Sequence, residues 1–112
     1  ALCPCSNSVI HNALPPVDMI RRSGIKITVG TDSLSSNDDL DMVRELFCLQ
    51  ENFPQVPLGE MIFWATANGA DFLGKGDIYG KMLPGMKPGL VFIDHLSENG
   101  YLTTASVSQR II

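Results

Sequence analysis

The sequence predicts a small α/β chain in the order strand, helix, strand, helices and β-hairpin. Three observations carry this reading. The run Ile25-Lys26-Ile27-Thr28-Val29 is β-branched and short, as strands are. Leu58, Met61, Ile62 and Ala65 fall at i, i+3, i+4 and i+7, the stripe of a helix with one buried face. Asn99-Gly100 between two apolar runs is a hairpin turn signal.

Taken in order, Ala1 to Cys3 reads as the tail of a strand, so that something is expected to precede Ala1. Pro4 to Ala13, rich in Ser and Asn, reads as a loop. Pro15-Pro16 suits a helix start, and the helix from Val17 to Ser23 stops at Gly24, a C-cap residue. The strand over residues 25–29 follows and ends at Gly30-Thr31-Asp32. After a polar loop, helices are expected over Leu40–Asn52 and Leu58–Asn68, the second closed by Asn68-Gly69. A further turn of helix covers Ala70–Leu73. Leu90–Ile93 and Tyr101–Val107 make the hairpin. The early half is therefore βαβ-like with a parallel pair, and the late half is antiparallel and local. The five methionines read as ordinary packing residues, whereas Trp64 lies off its helix's main stripe, where it would meet a neighbouring interface.

The chain has 112 residues, 45% hydrophobic and 18% charged, with a formal net charge of −4. This suits one modest hydrophobic core. The acidic balance argues against nucleic acid as a partner, and no apolar run approaches the roughly 18 residues that span a bilayer. Cys3, Cys5 and Cys48 form no disulfide framework. Free thiols suit a cytoplasmic location.

Asp32 is the leading candidate for chemistry. Alternation along the strand puts Ile25, Ile27 and Val29 on one face and Lys26, Thr28, Gly30 and Asp32 on the other. A carboxylate at the C-terminal end of a parallel strand sits where α/β folds place active sites, and Gly30 beside it leaves room for a close approach. An Asp in this position also serves as a turn former or helix cap. The pairs Ser6-Asn7 and Ser36-Asn37 read on their own as turn-forming residues of their loops.

Leu2-Cys3-Pro4-Cys5-Ser6-Asn7, Gly30-Thr31-Asp32-Ser33 and Ser36-Asn37 together resemble the metal-dependent amidohydrolase superfamily. The nearest branch is that of nucleobase and S-adenosylhomocysteine deaminases and chlorohydrolases. Leu14-Pro15-Pro16-Val17, Ala65-Thr66-Ala67-Asn68-Gly69-Ala70, Leu73-Gly74, Pro84-Gly85 and Lys87-Pro88-Gly89 extend the likeness over nearly the whole chain. The resemblance implies the C-terminal part of a distorted (β/α)₈ barrel. Residues 1–80 would hold its last two strands and following helices, and residues 81–112 a linker and a hairpin of the small β-domain. It implies that Asp32 closes the eighth strand, binds a divalent metal (zinc or iron) and shuttles protons, accepting one from water activated by the metal and passing it to a leaving amine. It also implies that Ser6 and Asn7 face substrate and that Ser36 and Asn37, in the loop after Asp32, lie near the pocket as substrate-binding residues, although Cys5 stands where the family often has Arg.

The family's remaining metal ligands are histidines, including a His-x-His. This chain has only His11 and His95, neither in that motif and both read as surface residues. The expectation is thus a C-terminal fragment of a C–N hydrolase, most simply a deaminase of a heterocyclic amine. Alone it should be inactive and bind no metal tightly. Its partners would be a small-molecule substrate and the rest of the barrel, and the open sheet edge at Ala1–Cys3 and Ile25–Val29 would drive self-association. The alternative is a free-standing, non-catalytic α/β interaction module.

Overall fold

The computed structural model describes residues 1–112 and shows five short α-helices, one π-helical turn and a two-stranded antiparallel sheet. The parallel pair foreseen at the start is a single bridge. Leu2 N–H donates to the Thr28 carbonyl at 2.7 Å, and Gly30 N–H donates to the Leu2 carbonyl at 2.8 Å. Leu2, Ile27 and Val29 are buried around this bridge, in one core with Val17, Val43, Leu46, Leu49, Val56, Met61, Trp64 and Leu102.

The face alternation read from the sequence does not hold over residues 25–32. Ile25 is 65% exposed, while Thr28, assigned to the opposite and uncovered face, is buried. Residues 27–29 are all buried and the pairing is a single bridge, too short to impose a two-residue period along the segment.

Pro4 to His11 forms helix α1, where the sequence suggested a loop. Pro4 occupies the first helical turn, where a missing N–H costs nothing. A distant carboxylate, that of Glu45, accepts the Cys5 N–H at 2.9 Å, and Asn7 Oδ1 accepts the N–H of Cys3 at 3.3 Å. Two of the donors that a helix start leaves orphaned are thereby satisfied. Neither partner is visible to a local reading of Ser and Asn composition. Helix α2 spans Val17–Arg22, and Gly24 beyond it has positive φ, as expected. Arg21 ties α2 to the next layer with two hydrogen bonds to Glu60, at 2.9 and 2.7 Å.

Helix α3 covers Met42–Asn52, beginning two residues later than expected because Asp41 is its cap. The Asp41 carboxylate accepts Val43 N–H at 2.9 Å. The stretch after Pro57 is one continuous helical rod: α4 (Leu58–Phe63), a π-helical turn (Trp64–Asn68) and α5 (Gly69–Phe72). Asn68-Gly69 does not end it. Asn68 turns inward and its Nδ2 donates to the Ile27 carbonyl at 2.8 Å, and Gly69 keeps helical angles. The π turn widens the helix locally, and Trp64 enters the chain's own core rather than facing a neighbour. Of the methionines, Met61 is fully buried and Met42 packs on the core, but Met19 and Met82 are exposed.

Strands β1 (Val91–Asp94) and β2 (Val107–Arg110) pair with Val91 opposite Arg110 and Asp94 opposite Val107. The second strand starts later than the sequence suggested. Leu102 is drawn into the core, where Gln50 of α3 accepts its N–H and donates to its carbonyl, both at 2.9 Å. Thr103 and Ser106 hydroxyls donate to the His95 carbonyl. Residues 101–106 therefore spend their polar groups on the core and the turn rather than on a ladder. No helix is long and apolar enough to cross a membrane.

Candidate functional site

Asp32 follows the bridged strand and has φ of +57°, one of three non-glycine residues in the left-handed region. Asp tolerates this conformation better than most residues. The chain leaves the extended state there, so the side chain's direction is set by the turn and not by strand alternation. Its exposed carboxylate is gripped on one oxygen. Ser6 Oγ donates to Oδ2 at 3.0 Å, and Ser36 Oγ lies 3.2 Å from the same atom and 3.2 Å from the Ser33 carbonyl. Both serines are buried. Oδ1 accepts no hydrogen bond from the chain. One oxygen is thus fixed by hydroxyl donors while the other is presented outward.

The candidate residues from the sequence divide. Ser6, Asp32 and Ser36 meet at one carboxylate oxygen. Asn37 lies behind them, its Nδ2 donating to the Thr31 carbonyl at 2.9 Å and also to Glu45 Oε1. Asn7 is half-buried and serves the start of α1. Gly30 leaves Cys3 in ordinary contact range, since a Cβ there would lie 3.7 Å from Cys3 Sγ. The site therefore does not depend on a side chain being absent at residue 30.

Sequence reasoning missed Glu45. At 1% exposure it is the one charged residue among the buried side chains. Its two oxygens accept Cys5 N–H and Asn37 Nδ2, and it forms no salt bridge. The signal was present: Met42, Glu45, Leu46 and Leu49 share the i, i+3, i+4, i+7 spacing of α3's inner face, where an acid is rare unless paired.

The three thiols are free. Burial first, then the Glu45 charge and the neighbouring Cys48 thiol, pushes Cys5 up to about 12. Burial, with the charges of Asp32 and Glu45, raises Cys3; burial is also the main cause of the rise at Cys48. Only a thiolate reacts readily. Cys5 in the native chain should therefore be alkylated by iodoacetamide at pH 8 roughly two to three orders of magnitude more slowly than in the unfolded chain. Pulsed labelling read by mass spectrometry measures this, and equal rates would contradict the buried, acid-flanked placement. The folded chain holds this proton above the pH at which the unfolded chain releases it. The associated stability is thus complete below about pH 9 and is lost as pH rises through about 12.

No three His, Cys, Asp or Glu side chains come together in a way that would hold a metal ion. His11 and His95 are both exposed. Asp32 belongs to no such group, and one carboxylate does not make a site. An apolar groove lined in part by Met42, Leu46, Ile62, Leu90 and Ile93 runs between α3, α4 and the hairpin, and Asp32 takes no part in it.

The chain belongs to the amidohydrolase family, whose model, described as "Amidohydrolase family", matches residues 1–110. Among curated proteins it is similar to a 5-methylthioadenosine/S-adenosylhomocysteine deaminase of Syntrophomonas wolfei. The two are 36% identical over 98 residues, which is 81% of this chain and 23% of that protein. It is also similar to a 5'-deoxyadenosine deaminase of Methanobrevibacter smithii, 30% identical over 116 aligned positions, covering 97% and 27%. A putative aminohydrolase of Methanothermobacter thermautotrophicus is 33% identical over 110 positions, covering 91% and 27%. The chain spans about a quarter of the length of these relatives. No solved structure matches it. With family membership extending over nearly the whole chain, no observation favours the free-standing interaction module.

Proposed function

We propose that this chain is the C-terminal part of a hydrolytic deaminase acting on a heterocyclic amine, and that Asp32 is its proton-transferring carboxylate. The observation that carries this reading is the held-and-free carboxylate: Oδ2 fixed by Ser6 and Ser36, Oδ1 without a partner, in a chain of the amidohydrolase family. Such a group can take a proton from the water that adds to the amine-bearing ring carbon. It then delivers that proton to the departing nitrogen, so that water and the amine become a ring carbonyl and ammonia. The names of the relatives point to adenine-type rings bearing a modified 5' position. Ser6, Asn7, Ser36 and Asn37 would border the substrate.

In this reading residues 1–80 complete the last two strands and helices of a (β/α)₈ barrel, and residues 81–112 belong to a small β-domain. The remainder of that barrel supplies the pocket walls and the other ligands of a divalent metal, zinc or iron, to which this chain adds one oxygen. The 112 residues alone are then inactive. The enzyme is cytoplasmic, in keeping with three free thiols. The test is ammonia release by the whole enzyme carrying this segment. Substrates would be 5'-methylthioadenosine, S-adenosylhomocysteine and 5'-deoxyadenosine, with the 112-residue chain assayed beside it. Turnover by the longer protein alone is expected. Absence of turnover on every heterocyclic amine offered, in metal-replete protein, would overturn the reading.

The same reading bears on association. Val91, Phe92 and Val107 of the hairpin are exposed, and both outer edges of the two-stranded sheet are unpaired. Such edges recruit further strands. The isolated chain is expected to self-associate with rising concentration in sedimentation velocity. A single monomeric species over a hundredfold range of concentration would count against it.

A further inference from the structure

Glu45 is a buried carboxylate with no cation beside it, and its two donors lie on two different segments. Oε2 takes the N–H of Cys5, at the start of α1, at 2.9 Å. Oε1 takes the side-chain amide of Asn37, which is also bound to the Thr31 carbonyl. The residue next to each of these contacts reaches Asp32. Ser6 follows Cys5 and donates to Oδ2 at 3.0 Å, and Ser36 precedes Asn37 and lies 3.2 Å from Oδ2. Two carboxylates thus bracket the same pair of segments, Glu45 holding residues 5 and 37 from inside and Asp32 receiving residues 6 and 36 outside. The buried carboxylate accepts a backbone N–H of the first turn of α1, where unpaired donors and the helix dipole favour an anion. Arg44, the adjacent cation, is turned to Asp39 instead.

We infer that Glu45 is the positioning residue of the site: by fixing residues 5 and 37 it brings both serine hydroxyls onto one oxygen of Asp32 and leaves the other oxygen presented. The inference rests on the reading of Asp32 as the reacting carboxylate, but its geometric content does not depend on any reaction. A glutamine at this place is the same shape with one oxygen exchanged for an NH₂ group. It can accept from Cys5 or from Asn37 but not from both, because the second contact becomes donor against donor.

The test is NMR on the whole enzyme carrying this segment, labelled for amide exchange and at the aspartate carboxyl carbon, comparing wild type with Glu45→Gln. The readouts are amide exchange and the Asp32 carboxyl ¹³C resonance, which senses its hydroxyl donors. Expected are exchange at least tenfold faster at Cys5 or across residues 31–38, a displaced Asp32 resonance, and unchanged protection over residues 58–72. An unmoved Asp32 resonance in a folded variant overturns the inference. If Glu45→Gln loses protection everywhere, Asn37→Ala decides. That change removes one arm and leaves the Cys5 contact. A moved Asp32 resonance with residues 58–72 still protected supports positioning, and an unmoved one overturns it. In the whole enzyme, Glu45→Gln should lower kcat about tenfold with KM unchanged. A wild-type enzyme without deaminase turnover would sink the functional reading while the exchange and ¹³C results still judged Glu45.

Discussion

Asp32→Asn in the whole enzyme is expected to lower kcat by roughly two to four orders of magnitude, the range a positioned acid–base group supplies. The fold should survive. Asn tolerates the left-handed backbone at φ +57° as well as Asp does, and its amide oxygen can still accept from Ser6 and Ser36 if it takes the place of Oδ2. What disappears is the negative charge and the ability to hold a proton. The free oxygen becomes an NH₂ group or a neutral carbonyl, neither of which can take a proton from water and return it to a leaving amine. Because the change acts on the proton transfer and on the one oxygen this chain would add to the metal, and not on substrate contacts, kcat and kcat/KM should fall together in metal-replete enzyme. Steady-state ammonia release, with circular dichroism to verify the fold, measures the effect. Near-normal turnover would mean that the carboxylate gripped by Ser6 and Ser36 is a turn-stabilising group and that the proton is handled elsewhere.

How far the sequence could be read depended on whether the cause of each feature was local. Helix α2 with Gly24 behind it, the stripe of α4 and the existence of a hairpin follow from neighbouring residues, and they stand close to where the pattern puts them. Helix α1 does not. Its start is capped by Glu45, 40 residues away, and no propensity of Cys5, Ser6 or Asn7 reveals that. The rod from Leu58 to Phe72 was cut too early for the same reason. Asn68-Gly69 has the composition of a helix end, but the Asn68 amide is consumed by the Ile27 carbonyl. Strand β2 was placed early because Gln50 takes both backbone groups of Leu102. At the site, Asp32, Ser6 and Ser36 were legible as residues, and the structure joins them at one oxygen. The role of Glu45 was not, because it appears only when residues 5, 37 and 45 are brought together.

Gly80→Ala is expected to destabilise the chain by about 2–6 kcal/mol, and the route of that loss leads back to the site. Gly80 has φ of +88°, a conformation a Cβ makes costly by roughly 1–3 kcal/mol. A Cβ there would also lie 2.9 Å from Ala67 Cα, Ala70 Cβ and the Thr66 carbonyl oxygen. Those atoms belong to the π turn and α5, and none is the movable tip of a long side chain. Relief requires the helical rod or the Gly80 segment to shift, at a further cost of roughly 1–3 kcal/mol. Against a total stability on the order of 5–15 kcal/mol, this is a large fraction. The melting temperature should fall by roughly 10–20 °C. The rod pressed by that Cβ carries Asn68, whose amide holds the Ile27 carbonyl at 2.8 Å and so anchors the segment leading to Asp32. Local damage should therefore appear first as loss of amide protection over residues 64–70 and 27–30. Protection over α3, whose contacts run to Cys5, Asn37 and Leu102, should persist longer. Thermal denaturation and hydrogen exchange distinguish this from general unfolding. A variant that melts within a degree or two of wild type would show that Gly80 can move away from the π turn without cost.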